Sequence, residues 1–198
     1  MEVTIGRVSS EAVYDGRIVR LSLDTVRFPD GSTGVLEIVR HRGASAVLPF
    51  VGALSDPDPE VLLIRQYRYA AGGFIYEVPA GIPEDADEDW DACAHRELEE
   101  ETGMRAGELI PLTRILTTPG FTDEVIHLFA ATRLVPGETR RDADEFIEVV
   151  SLPFSRVMQM VREGDVVDCK SVAAILYVSS FILPGRAASP RDSVEDVS

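Results

Sequence analysis

Between residues 81 and 104 the chain reads GIPEDADEDWDACAHRELEEETGM, ten carboxylates around a single arginine, Arg96. No other segment constrains the fold so strongly. On a helix Glu97 and Glu101 lie on one face a turn apart, with Glu100 flanking them. Like charges at that spacing repel by ~0.2 to 0.5 kcal/mol when exposed, and by more where solvent is excluded. Such a helix calls for a cation, and oxygen-only ligands favour a hard divalent ion, Mg2+ or Mn2+. Gly103 is suited to end the helix, and Asp87 or a neighbouring acid to cap its start.

The flanking sequence predicts a sheet. Val19, Leu21 and Leu23 alternate within residues 17 to 28, Gly34 to Arg40 alternates likewise, and Pro29-Asp30-Gly31 lies between them, so the two segments read as a hairpin. A lone hairpin is marginal in water, so this piece must lean on the rest of its own chain or on a second copy. The apolar runs Ser45 to Val51 and Val61 to Ile64, parted by SDPDPE, predict buried strands, and Phe74 to Val78 predicts another. Further strands are expected over 108 to 117, 125 to 131 and 146 to 152, and helices over 154 to 162 and 169 to 182. Strands before, between and after helices describe an α/β chain with a mixed sheet covered on both faces.

With 198 residues, 45% of them hydrophobic, the chain suffices for one well-cored domain and an appendage. A formal charge of -15 argues against nucleic acid as a partner, because a phosphate backbone must be met by clustered Lys and Arg. A small phosphorylated substrate stays compatible, held by metal and a few placed arginines. Two cysteines, Cys93 and Cys169, build no disulfide framework, and the N-terminus lacks the basic start and apolar core of a secretory signal. A cytoplasmic location is therefore expected. The longest apolar stretch, Val172 to Leu183, is interrupted by Ser179 and Ser180, so no membrane span is expected either.

From Glu88, seven residues lead to Arg96-Glu97, followed by Leu98, one free position, Glu100-Glu101, one more, Gly103 and Met104. This spacing resembles the signature of the Nudix hydrolases, which cleave nucleoside diphosphates linked to another moiety. Six residues separate Gly81 from Glu88, one more than the family's usual count, which reads as a loop insertion ahead of the helix. The resemblance implies a Nudix-type α/β/α sandwich over residues 44 to 185. Residues 1 to 43 would form a small N-terminal antiparallel β-sheet appendage that makes a homodimer, and 186 to 198 a flexible tail.

Pro119 lies sixteen residues beyond Gly103 and opens the string Pro119-Gly120-Phe121-Thr122-Asp123-Glu124. Together with Arg65-Gln66-Tyr67-Arg68 and Tyr76-Glu77-Val78-Pro79-Ala80-Gly81, it is similar to the ADP-ribose pyrophosphatases. The implied reaction is metal-dependent hydrolysis of ADP-ribose to AMP and ribose 5-phosphate. By that resemblance Glu97, Glu101 and the carbonyl of Ala80 ligate the metal, and Glu100 supports the cluster. Arg96 orients a glutamate, with Glu88 in a similar structural role. Arg68, and after it Arg65, contact the diphosphate. Tyr67 stacks on adenine, and Pro119, Gly120, Phe121, Asp123 and Glu124 line the ribose end.

Members of that subfamily bring a further glutamate from a late loop. Within ETRRDADEFIEVV, residues 138 to 150, Glu145 fits best as the group that activates water, with Asp144 and Glu148 as alternates. Plainer readings stand beside these: a simple turn at Pro119-Gly120, a strand aromatic at Tyr67, surface charges at Arg65 and Arg68, a solvated acid at Glu145. Rival functions are hydrolysis of GDP-mannose, a UDP-sugar, NADH or FAD by the same chemistry, or a catalytically silent nucleotide sensor.

Overall fold

The computed structural model describes residues 4–85, 87–140 and 146–183. Three strands, β1 (Gly6–Asp15), β2 (Arg20–Arg27) and β3 (Thr33–Arg40), form an antiparallel N-terminal sheet in that spatial order. β2 and β3 are the predicted hairpin. Gly31 takes φ 85°, and the Asp30 carboxylate accepts from the Ser32 amide and hydroxyl, so the turn chemistry acts where it was expected. β1 was not anticipated. Its register against β2 shifts between Arg7 and Ser9 and again between Ala12 and Tyr14, and each bulge erases the alternation a strand is recognised by.

The larger sheet begins with β4 (Ala44–Val51) and β5 (Glu60–Arg68), followed by β6 (Gly73–Glu77) and β7 (Ala80–Gly81). Then come α1 (Trp90–Thr102), β8 (Met104–Arg105), β9 (Glu108–Leu116), β10 (Val125–Thr132) and β11 (Val135–Pro136). β12 (Ile147–Pro153), α2 (Phe154–Glu163) and α3 (Cys169–Tyr177) complete the chain, and α3 runs on into a π turn at Val178–Ile182. The main strand order is β12-β5-β4-β10-β9, parallel between β4 and β10 and antiparallel elsewhere, so the sheet is mixed.

Both faces of this sheet are covered, and the side-chain period of two shows how. On β4, Ala46, Leu48 and Phe50 join Phe154 and Val157 of α2 and Ala174 and Ile175 of α3 in the main core. Val47, pointing the other way, packs with Phe129, Ala131, and Ala94 and Leu98 of α1. The result is the expected α/β/α sandwich. No helix among the described residues is long and apolar enough to cross a membrane. The expected tail, 186 to 198, lies outside the described residues.

One irregularity positions the site. β4 and β5 pair only at Phe50–Val61 and Val51–Glu60 and then part. β6 takes over the edge of β5 that β4 leaves, and the short β7 pairs with β4 at Ser45 and Ala46. The sheet therefore forks, and a cleft opens between its arms beneath the C-terminal half of α1.

Candidate active site

The α1 segment is fixed from inside by Cys93, Ala94 and Leu98, all fully buried, and ends where Gly103, at φ 72°, returns its amide to the Glu99 carbonyl. Neither Asp87 nor the N-cap residue Asp89 caps it with a side-chain bond. Asp85 accepts instead from the amides of Asp87 and Glu88, so the loop acids stabilise their own turn.

Arg96 organises the glutamates. Its Nε and Nη2 grip both oxygens of Glu88 at 2.9 and 3.0 Å, its Nη1 donates to Glu97 at 2.7 Å and Glu100 at 3.0 Å, and Nη2 also reaches the Ile82 carbonyl at 3.0 Å. Burial works against the charge of this guanidinium, but its carboxylate partners outweigh burial and raise its pKa. The bond from Arg96 holds the Glu88 carboxyl below the ordinary carboxylate range. One cation thus offsets the repulsion that the sequence spacing implies.

Glu101 is 2% exposed, and its Oε2 accepts from the Ala80 amide at 3.0 Å. Gly81 lies so close to Glu97 that a Cβ there would fall on the carboxylate. Glycine here leaves the Glu97 carboxylate its place, which a larger residue would take by pushing that side chain aside. Burial, aided by Glu97, pushes the Cys93 thiol up to about 11, which suits a packing role.

The cleft in the fork measures about 550 Å³. Glu97, Glu101 and the chain from Ala80 to Ile82 line it together with Gln66, Tyr67, Arg68 and Lys170. Arg17, Ile18, His41 and Glu124 line it as well. Anionic and cationic groups thus line one cavity. The Gln66 side-chain oxygen is buried with no partner among the described residues, an acceptor that a bound donor would satisfy.

The expected site residues divide sharply. Glu97, Glu101, Ala80, Tyr67, Arg68 and Glu124 line the cleft; Arg65 does not. Arg65 and Arg68 are three apart on a strand and so face opposite sides. Arg65 stacks over Phe74 at 4.4 Å and pairs with Glu148, its neighbour on β12, at 3.4 Å. Tyr67 meets Phe74 edge-on with ring centroids 5.5 Å apart. Arg68 grips Glu77 with two hydrogen bonds. Glu100 stays on the Arg96 side of α1.

Of the Pro119 string, only Glu124 reaches the cleft, where it lies 3.3 Å from the His41 ring and accepts from the Thr117 hydroxyl. Pro119 and Gly120 form an exposed turn, and the Phe121 carbonyl accepts from the Val39 amide at 2.7 Å. Asp123 accepts from Arg40 and from the His41 amide, both at 2.9 Å. This string therefore straps the N-terminal sheet to the rest of its own chain. Sequence reasoning missed Arg17, Ile18, His41 and Lys170; for Lys170 the signal was a lone cation among the apolar residues of α3. Glu145 and Asp144 lie outside the described residues.

Among the described residues no three His, Cys, Asp or Glu side chains converge as a ready metal cluster, and Arg96 serves as counter-ion to Glu97 and Glu100. The donor chemistry nonetheless suits a hard divalent cation, being carboxylate oxygen throughout, in a cradle kept open by Gly81.

An acidic helix and cationic groups lining one cleft in a forked mixed sheet suit the hydrolysis of a small phosphorylated molecule. Residues 46–168 match the NUDIX domain, and residues 6–39 match the nucleoside diphosphate sugar hydrolase N-terminal domain. The chain belongs to the Nudix family of divalent-metal-dependent hydrolases. It is 37% identical to a methanol dehydrogenase activator from Bacillus methanolicus, over 86% of this chain and 90% of the relative. An ADP-ribose pyrophosphatase from Bacillus subtilis (strain 168) is 36% identical over the same shares of both chains. A GDP-mannose pyrophosphatase from Klebsiella pneumoniae is 37% identical, over 87% of this chain and 83% of its own. Among solved structures, one titled as an ADP compounds hydrolase aligns with a TM-score of 0.76 over 90% of this chain and 94% of its own, at 22% identity, and supports the fold.

Proposed function

We propose that the protein hydrolyses ADP-ribose to AMP and ribose 5-phosphate, using Mg2+ or Mn2+. The observation that carries this reading is the placement of Glu97, Glu101 and Arg68 in one cleft, in a chain 36% identical to an ADP-ribose pyrophosphatase. Water attacks one phosphorus, the bridging P–O bond breaks, and the proton of the water leaves to a base. A divalent cation, when bound, supplies positive charge to the phosphate oxygens and lowers the pKa of water.

The chain's own residues do the rest. Glu97, Glu101 and the Ala80 carbonyl hold the cation, Glu100 supports them, and Arg96 keeps Glu97 and Glu100 in place. Arg68 binds the diphosphate, Tyr67 stacks on the base, and Glu124 faces the ribose. Glu145, ahead of β12, is our choice for the carboxylate that takes the proton.

The test is incubation with a panel of nucleoside diphosphate compounds with and without Mg2+, the products identified by chromatography. ADP-ribose is expected to be the best substrate, with all turnover lost on chelation. A GDP-sugar outrunning it by a large factor would move the reading to GDP-mannose, which the Klebsiella relative favours. Activity that survives exhaustive chelation would remove the metal from the mechanism.

A homodimer through the N-terminal sheet belongs to the same proposal. β1 is exposed over almost its whole length, and Val8, Val13, Tyr14 and Val35 leave more than half of their surface in solvent. Light scattering at micromolar concentration is expected to give twice the chain mass; a fully active monomer would refute the dimer. A cytoplasmic setting agrees with the two free cysteines.

A further inference from the structure

The buried carboxylate of Glu77 has no role in the chemistry above, yet two cations converge on it. Glu77 lies at the end of β6 and is 1% exposed. Arg68 donates to it from Nε at 2.7 Å and from Nη2 at 3.0 Å, and the Lys170 ammonium bonds Oε2 directly. Lys170 lies 3.0 Å from Asp168, which caps α3 by accepting from the Ser171 amide. The Ser171 hydroxyl in turn accepts from the Val78 amide at 2.8 Å, two residues before Ala80. β5, β6, the first turn of α3 and the strand end leading to Ala80 are thereby tied together.

This network is costly unless it positions something. Burial raises the pKa of Glu77, but Arg68 and Lys170 more than offset it and keep the group charged below the ordinary range. A hydrophobic triad would fill the same space without desolvating charges. What the ionic version gives is a guanidinium in fixed orientation. Arg68 leaves 42% of its side-chain surface exposed, and a free arginine there would lose much rotamer entropy on gripping a ligand. With Nε and Nη2 committed to Glu77, Nη1 has no protein partner among the described residues.

We propose that Glu77 is a positioning residue that presents the Arg68 guanidinium to the substrate diphosphate, while Lys170 and Asp168 fix the Glu77 carboxylate from behind. The proposal rests on the reading of Arg68 as a diphosphate contact. Its fork geometry favours phosphate oxygens, which a guanidinium binds in pairs.

Calorimetric titration with inorganic pyrophosphate and Mg2+ tests it without needing turnover. Arg68→Ala and Glu77→Gln are each expected to weaken binding about tenfold, and the double variant no further than Arg68→Ala alone, because both remove one contact. Losses that multiply in the double variant, wild-type affinity in Glu77→Gln, or no pyrophosphate binding by the unmodified protein would each overturn the proposal.

Should Glu77→Gln fail to fold, Glu77→Gln with Lys170→Met keeps the local charge sum and is expected to show the same tenfold loss. Wild-type affinity in that variant would overturn the proposal equally. If ADP-ribose is left intact, the proposed function falls while the pyrophosphate pattern still decides the role of Glu77.

Discussion

Replacing Glu97 or Glu101 with glutamine is expected to cut turnover at least ~100-fold, since even the outer partners of metal ligands cost 10- to 100-fold. Glutamine keeps the volume and one oxygen, so the α1 packing of Ala94 and Leu98 is untouched. The two variants should differ in a second respect. Glu101 is 2% exposed and accepts from the Ala80 amide, a bond a glutamine oxygen can still take, so Glu101→Gln should fold normally. Glu97 receives one bond of Arg96, and its loss of charge leaves that cation less compensated. Steady-state rates on the best substrate across a Mg2+ titration, together with melting curves, check both points. A near-normal rate at saturating Mg2+ in either variant would show that α1 is not the metal helix.

Arg96→Met should destabilise the fold by ~2 to 3 kcal/mol, less than the ~3 to 5 for stripping one partner from a fully buried pair. The discount applies because a fifth of the Arg96 side chain is exposed. The substitution leaves Glu88, Glu97 and Glu100 without their shared cation.

The sign of the pH dependence follows from Glu88. Its folded pKa is depressed, chiefly by the bond from Arg96, so its stabilising contribution is present above the ordinary carboxylate pKa. That contribution fades as pH falls through the lowered folded value. The gap between wild type and Arg96→Met should therefore be widest near neutrality and narrow in acid. Mg2+ should raise the stability of the wild type, because a ligand that binds only the folded state adds ~2.7 kcal/mol at a hundredfold excess over its Kd. Thermal melts from pH 3 to 7 with and without Mg2+ measure both effects. A gap that is constant with pH would mean the arginine acts through packing rather than charge.

The acidic helix, its glycine stop and the strands on either side were legible because each is encoded within a few residues. Apolar runs mark β4 and β5, alternation and turn chemistry mark the β2–β3 hairpin, and two glutamates four apart mark one helix face. Where local geometry broke the period, as at the two bulges of β1, the strand went unseen. The sequence by itself determined the class of chemistry, since the spacing of Glu88, Arg96, Glu97, Glu100, Glu101 and Gly103 that resembles the Nudix signature lies within one short segment.

Only the tertiary structure decided which charge meets which. Glu77 and Lys170 are ninety-three residues apart, and the string 119 to 124, expected at the substrate, mostly holds Val39, Arg40 and His41. Arg65 and Arg68 were both expected at the diphosphate, Arg68 first, and the pleat of β5 sends Arg65 to Glu148 and Arg68 into the cleft. Coulomb attraction carries no sequence address: a charge pairs with whatever the chain's path brings within a few ångströms, and the fork between β4 and β5 sets that path.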